Sequence, residues 1–161
     1  MSRGQFKLAS GQISNYYIDM SKVALDSYGL ALIASNVIGV TKWNGVTAVG
    51  GPAYGAIPIL SSVLTLMSLS WPMKGFFVRK ETKEYGKKEL IEGDLTEEDN
   101  VILLEDVTTT GGSLLRAVEE VQKIAKVSQV ITIVDRNQGA DKLFEAKGIP
   151  FKAILNITQI L

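Results

Sequence analysis

The chain contains no cysteine and no histidine. Without cysteine it cannot form disulfides, hold zinc through thiolates or use a thiol nucleophile. Without histidine it lacks the most common general base and the most common metal ligand of proteins. Any bound metal is therefore expected to be a hard cation held by oxygen atoms, and Mg²⁺ is the natural candidate.

Net charge is also absent, because 17 basic residues balance 17 acidic ones. No overall field attracts the chain to nucleic acid or to an anionic membrane.

The amino-terminal residues lack the apolar segment of a signal peptide, which predicts a cytoplasmic protein. Residues 43–73 carry no charged side chain, but three glycines and two prolines between residues 50 and 58 interrupt them. A membrane helix needs about 20 continuous apolar residues, so a buried strand, a tight loop and a buried helix are predicted instead.

Apolar periodicity predicts an α/β fold in a single domain spanning residues 1–161. Short β-rich runs alternate with longer helical stretches, which is typical of a mainly parallel, twisted sheet flanked by helices. Asp26 is expected to cap the first helix and Gly148 to end the last. The predicted strands are 46–49, 75–78, 101–104, 130–134 and 151–155, and the predicted helices are 27–40, 56–69, 112–125 and 140–147.

A highly charged segment, residues 79–99, separates two apolar strands. It carries 13 charges in 21 residues, five positive and eight negative. Loops longer than about 12–15 residues in a compact domain tend to be functional or disordered. Two interpretations are open: a solvated hairpin or helical excursion, or an active-site lid that brings Arg79, Lys80 and Lys83 to an anion.

The most informative stretch is VILLEDVTTTGGS, residues 101–113. An apolar strand leads into two adjacent acids, then into a loop of hydroxyls and glycines, then into a helix. Backbone N–H groups of such a loop, its hydroxyls and the positive end of the helix can together hold a phosphate. The acids, Glu105 and Asp106, would repel a phosphate unless they bind a cation or the hydroxyls of a sugar. The stretch therefore predicts a ligand with a phosphate, a ribose and a metal, although a strand end with two solvent-facing acids is the simpler alternative.

Other phosphate motifs are missing. No GxxxxGK[ST] occurs, and no GxGxxG follows a predicted strand. A P-loop kinase or a dinucleotide-dependent dehydrogenase is therefore disfavoured.

EDVTTTGGS closely resembles the PRPP-binding motif of type I phosphoribosyltransferases. FKLASGQISNYYIDM, GGPAYGAIPI, VRKETKEYG and VDRNQGADKLFEAKGI are similar to further segments of orotate phosphoribosyltransferases, in the order of that family. The resemblance covers nearly the whole chain from Phe6 onward. It implies the type I phosphoribosyltransferase fold, with a reduced amino-terminal hood, and transfer of a ribose phosphate from PRPP to orotate. A homodimer is also implied, in which each mobile catalytic loop, residues 79–99, serves the neighbouring site.

Site roles follow from the same resemblance. Lys83, Asp106 and Arg79 would be catalytic, and Thr109, Arg136 and Tyr17 would bind orotate. Glu105 and Asp106 would hold Mg²⁺ through water and PRPP. The implied PRPP contacts are Arg79, Lys80, Lys83, Tyr85, Glu105, Asp106, Val107, Thr108, Thr109, Thr110, Gly111, Gly112, Ser113, Tyr54 and Gly55.

Departures from the family pattern leave alternatives open. Ala9 replaces a lysine that usually touches both ligands, and Tyr85 replaces a histidine of the mobile loop. Lys7 is two residues from Ala9, on the same face of an extended strand, and could supply the missing charge. A phosphoribosyltransferase for another base, or a PRPP-binding regulator without turnover, are the competing hypotheses.

Overall fold

A computed structural model of the chain describes residues 2–7, 13–81 and 90–160. The strands are β1 (Ser2–Lys7), β2 (Ile13–Tyr17), β3 (Ala48–Pro52), β4 (Lys74–Val78), β5 (Ile91–Glu92), β6 (Asn100–Thr108), β7 (Lys126–Asp135) and β8 (Phe151–Asn156). The helices are α1 (Ser21–Ala24), α2 (Ser27–Val40), α3 (Ala56–Met67), α4 (Gly112–Val121) and α5 (Ala140–Ala146), and a 3₁₀ turn (Ile157–Gln159) follows β8.

Six strands form one sheet in the order β5-β4-β3-β6-β7-β8. All neighbouring pairs are parallel except β4 and β5, which are antiparallel. The prediction of an α/β fold with a mainly parallel sheet is therefore confirmed. β1 and β2 form a separate antiparallel hairpin that the sequence analysis did not predict.

Helices cover both faces of the large sheet. One apolar cluster joins α2 and α3 to side chains such as Ile102 and Leu104. The other joins α4 and α5 to Val101 and Leu103. Successive residues of a strand face opposite sides, so β6 is apolar along its whole first half because each side has its own layer of helices.

The predicted first helix, 27–40, is confirmed at both ends. The Asp26 carboxylate accepts a hydrogen bond of 2.8 Å from the backbone N–H of Gly29, which satisfies one of the free donors of the first turn. At the last helix, Gly148 has a φ of +67°, a value that favours glycine after a helix end. None of the described helices is both long and apolar enough to cross a bilayer.

Several predicted bounds were wrong. α3 ends at Met67 and α4 at Val121, earlier than predicted, because the residues that follow form the turns leading to the next strands. β6 continues to Thr108, since Val107 and Thr108 still pair with Val134 and Asp135 of β7. The two acids therefore lie on the strand itself and not in the loop after it.

Candidate active site

The sheet has a topological switch point between β3 and β6. The chain passes from β3 outward to β4 in one direction, and from β6 outward to β7 and β8 in the other. Ligands of open α/β sheets bind in the crevice that such a reversal leaves at the carboxyl ends of the strands. The predicted segments after β3, β4, β6 and β7 all lie at this edge.

Gly55 and Asp106 bring the two sides of the crevice into contact. A Cβ atom placed on Gly55 would overlap the carboxylate of Asp106. The turn after β3, residues 53–55, therefore lies directly against the acidic end of β6. Glycine is required here because the backbone must approach a charged side chain more closely than any larger residue allows.

Glu105 and Asp106 place two carboxylates side by side. Glu105 is buried, with 7% of its surface exposed, while Asp106 is partly exposed. Burial first, and then the negative charge of Asp106, raise the pKa of Glu105 well above its usual range. Asp106 accepts a 2.7 Å hydrogen bond from the backbone N–H of Val107, which fixes its orientation.

This acidic pair fits a hard cation that keeps most of its hydration shell. Within the described residues no group of three or more carboxylates, histidines or cysteines could enclose a metal. Mg²⁺ is commonly held by one or two carboxylates, with water and substrate oxygens completing the octahedron. A cation held by Glu105 and Asp106 would also stabilise the charged form of Glu105, which burial and the charge of Asp106 disfavour.

A loop of hydroxyls connects β6 to α4. Gly111 has a φ of +83°, and a side chain there would press against Phe144 and its neighbours on α5. Because glycine has no side chain, the turn remains tight and directs the backbone toward the amino-terminal end of α4. Thr109, Thr110, Gly112 and Ser113 belong to this loop and to the first turn of α4.

Thr108 marks the transition from strand to loop. Its side chain is 3% exposed, and within the described residues its hydroxyl oxygen has no hydrogen-bond partner. Its backbone oxygen accepts a 2.9 Å hydrogen bond from the N–H of Arg136. This bond ties the end of β7 to the start of the hydroxyl loop.

Two basic residues follow β4. Arg79 contacts Glu92 of β5 at 3.3 Å, and its backbone N–H donates to Leu90. Lys80 is exposed, and its charge opposes the increase in the pKa of Glu105. The charge of Lys80 therefore acts on Glu105, although burial and Asp106 outweigh it.

Arg136 lies at the carboxyl end of β7, where the sequence analysis expected the base to bind. Its side chain is buried, with 5% exposed. The guanidinium carbon lies 4.4 Å from the centroid of the Tyr16 ring, and Nη2 is 3.5 Å from the backbone oxygen of Tyr16. The contact between Arg136 and Tyr16 was missed by the sequence analysis, which considered only Tyr17.

Of the three aromatic residues that the sequence analysis assigned to the site, Tyr17 and Tyr54 belong to the described residues. Tyr17 is 46% exposed, and its ring lies 5.6 Å from that of Phe6 across the hairpin. Tyr54 is 79% exposed in the turn after β3, where the Ala53–Tyr54 peptide is cis.

Three residues of the sequence analysis lie outside the described ranges: Ala9, Lys83 and Tyr85. Lys7 lies in β1, where its backbone pairs with Ile13. Their assigned or alternative roles remain predictions.

Comparison with known proteins gives many matches that cover nearly all of this chain. The chain is 39% identical over 161 residues to the orotate phosphoribosyltransferase of Thermococcus gammatolerans, covering 98% of this chain and 83% of that protein. It is 42% identical over 165 residues to that of Rhodopirellula baltica, covering 98% and 86%. No model of a protein family matches the chain.

Solved structures agree with these relatives. The crystal structure of Mycobacterium tuberculosis orotate phosphoribosyltransferase in complex with PRPP aligns with a TM-score of 0.73. The alignment covers 95% of this chain and 87% of that chain, at 31% identity.

Proposed function

The chain belongs to the orotate phosphoribosyltransferase family, and from this membership we propose how its residues perform the reaction. The enzyme is a pentosyltransferase of pyrimidine biosynthesis. It joins orotate to the ribose phosphate of PRPP, forming orotidine 5′-monophosphate and releasing pyrophosphate. The observation that carries the assignment of the site is the contact of the 53–55 turn with Asp106 across the switch point.

PRPP binds along the carboxyl end of β6 in this proposal. The loop from Val107 to Ser113 wraps the 5′-phosphate with backbone N–H groups and hydroxyls, and α4 directs its positive end at the same anion. Glu105 and Asp106 hold the ribose hydroxyls, directly or through Mg²⁺. The turn at Tyr54 and Gly55 offers backbone donors to the pyrophosphate.

Mg²⁺ fits the acidic pair, and when bound it would neutralise part of the charge of the pyrophosphate. The chain contributes the other charges itself. Arg79, Lys80 and Lys83 are proposed to neutralise pyrophosphate as the bond to the anomeric carbon breaks. The part of residues 79–99 that precedes β5 is then proposed as the mobile catalytic loop, with Tyr85 near the PRPP, and it excludes water from the activated ribose. The remainder is held in the sheet by β5 and by the hydrogen bonds of Asp99.

Arg136 is proposed to orient the base. Its guanidinium pairs with the carboxylate of orotate or with an adjacent ring oxygen, a charge-assisted contact with a defined direction. Thr109 and Tyr17 complete the pocket. The ring nitrogen of orotate then attacks the anomeric carbon through an oxocarbenium-like transition state, with inversion. Orotate is already anionic, which is consistent with a chain that has no histidine to serve as base.

A homodimer is proposed, with the mobile loop of one subunit serving the other. An uncharged surface on α3 and the turns beside it supports this proposal. Tyr54, Leu66 and Leu69 are exposed there, with 79%, 52% and 98% of their surfaces accessible, inside the uncharged segment 43–73. Contiguous exposed apolar patches are typical of protein interaction sites. The proposal also treats residues 1–161 as a single, cytoplasmic domain.

Base specificity is supported by the relatives, which are named for orotate. The neighbouring fold of Leishmania donovani adenine phosphoribosyltransferase is only 17% identical, and such a likeness concerns the fold alone. A purine enzyme or a PRPP-binding regulator is therefore not favoured.

The direct test is the loss of orotate absorbance when the protein is mixed with orotate, PRPP and Mg²⁺. We expect turnover with orotate and none with adenine or uracil, and we expect EDTA to stop the reaction. The Lys83→Ala variant should be slower by about 10²–10³-fold, because it lacks one preorganised charge on the leaving group. Turnover with another base, or tight PRPP binding without pyrophosphate release from any base, would contradict the proposal.

A further inference from the structure

Tyr16 of the amino-terminal hairpin contacts Arg136, which follows β7 of the large sheet. β1 and β2 form their own two-stranded sheet, and Tyr16 lies in β2. Its ring is 4.4 Å from the guanidinium carbon of Arg136, a residue 120 positions further along the chain. The ring and the backbone oxygen of Tyr16 both contact the same guanidinium.

The ring and the backbone oxygen of Tyr16 contact the guanidinium in different ways. A cation–π contact places the cation over the face of the aromatic ring, and here the guanidinium carbon lies over the ring of Tyr16. The N–H donors of arginine lie in its plane and are directed outward from the edge, which is the direction from which a carboxylate is bound in a bidentate manner. Contact with Tyr16 is thus compatible with a ligand at the edge.

Burial makes this arrangement important for binding. Arg136 is 5% exposed, so little water surrounds its charge. Its backbone is fixed by the bond from its N–H to Thr108, but that bond does not fix the four rotatable bonds of the side chain. A ring against the guanidinium restricts those bonds before the ligand arrives, which lowers the cost of ordering them on binding.

We propose that Tyr16 is a positioning residue for the anionic base: it holds the guanidinium of Arg136 in the orientation that binds the carboxylate edge of orotate. The inference rests on the proposed function, since it assigns orotate to Arg136. It gives the hairpin a role in selecting the base, and it does not require Tyr16 to touch the reacting atoms.

The test compares Tyr16→Leu, which removes the ring, with Tyr16→Phe, which keeps the ring and loses only the hydroxyl. We expect Tyr16→Leu to raise the KM for orotate by about 5- to 30-fold, the range of a buried cation–π contact. The kcat and the KM for PRPP should stay within about twofold, and Tyr16→Phe should behave as the wild type. Tyr28→Leu is the matched control, because Tyr28 is 72% exposed on α2 and lies outside the proposed site.

A parallel rise in both KM values, or an equal loss in Tyr16→Phe and Tyr16→Leu, would overturn the inference and indicate a purely structural role or a role of the hydroxyl. NMR supplies a readout that needs neither turnover nor a destabilised variant. The guanidinium protons of Arg136 in the wild type should be shifted upfield by the ring, and normal shifts would contradict the contact. If the wild type does not consume orotate while the upfield shift is present, the proposed function fails and the contact stands.

Discussion

Buried carboxylates at the two ends of the parallel strands have opposite environments. At the amino-terminal edge, Asp99 is buried and accepts hydrogen bonds from Lys74 at 2.9 Å, from Thr47 at 2.7 Å, and from the N–H and hydroxyl of Thr96 at 2.8 and 3.0 Å. Burial alone would raise the pKa of Asp99, but these donors outweigh it and lower the pKa well below its usual range. The charge is fully satisfied by the protein.

At the carboxyl edge of the same strands, a buried carboxylate has the opposite environment. Glu105 lies beside a second acid, and both burial and that neighbour raise its pKa. The hydroxyl of Thr108 nearby has no described partner. The same fold supplies four donors to one buried carboxylate and leaves polar groups at the other end of the strands without such donors. This difference indicates that the polar groups at the carboxyl end are there to bind a ligand.

Asp106→Asn tests this contrast with the largest expected effect. We expect turnover to fall by about 10²–10³-fold, because the variant removes one of the two charges proposed to hold the ribose and the cation. The melting temperature should be unchanged or slightly higher, since the variant no longer repels Glu105. Steady-state kinetics and thermal unfolding measure both quantities. Near-normal turnover in Asp106→Asn would remove the acidic pair from the mechanism.

Gly55→Ala tests whether the crevice depends on close approach. The added methyl group would overlap the Asp106 carboxylate and force it to move, while the fold remains intact. We expect kcat/KM for PRPP to fall by about 10- to 100-fold, the effect of displacing a reacting group by about 1 Å.

Gly39→Ala is the matched control for that substitution. A Cβ at Gly39 meets no atom within 4 Å, and the residue lies inside α2. Activity should be unchanged, and the protein should gain about 0.5–1 kcal/mol of stability from the better helix former. Equal kinetic losses in the two variants would mean that Gly55 acts through general packing.

Asp99→Asn should reverse the pattern of Asp106→Asn, with normal turnover and a loss of about 2 kcal/mol of unfolding free energy from the weakened hydrogen bonds.

The pKa of Asp99 also sets how the stability of the protein changes with pH. Because the folded pKa is depressed, the contribution of Asp99 is complete above its unfolded pKa of about 3.9 and is lost as the pH falls below it. The wild type should therefore lose stability more steeply than the variant between about pH 5 and pH 2. Parallel acid-unfolding curves would contradict this account.

Local sequence patterns were sufficient to predict the main helices and strands of the sheet. α2 begins and ends where the sequence predicted because Asp26 supplies a cap at one end. Residues 101–113 were predicted at the correct end of the sheet, since the loop after a parallel strand lies at the carboxyl end of that strand. The end of β6 was not predictable in this way, because Thr108 remains in the strand only through pairing with Asp135.

Contacts between distant residues account for the remainder. Gly55 and Asp106 are separated by 51 positions, and Tyr16 and Arg136 by 120. Nothing in either local sequence predicts its partner. The hairpin was missed because SRGQFK and ISNYY lack a regular alternation of apolar and polar residues and pair across a bulge.

The switch point makes the crevice a joint between two halves of the chain. One wall belongs to residues 52–55 and the other to residues 105–113, so a break in the connecting segment would leave two fragments with half a crevice each. Recovery of catalysis on mixing such fragments would report their correct reassembly. The reaction itself would then serve as a sensor of whether β3 and β6 have found each other.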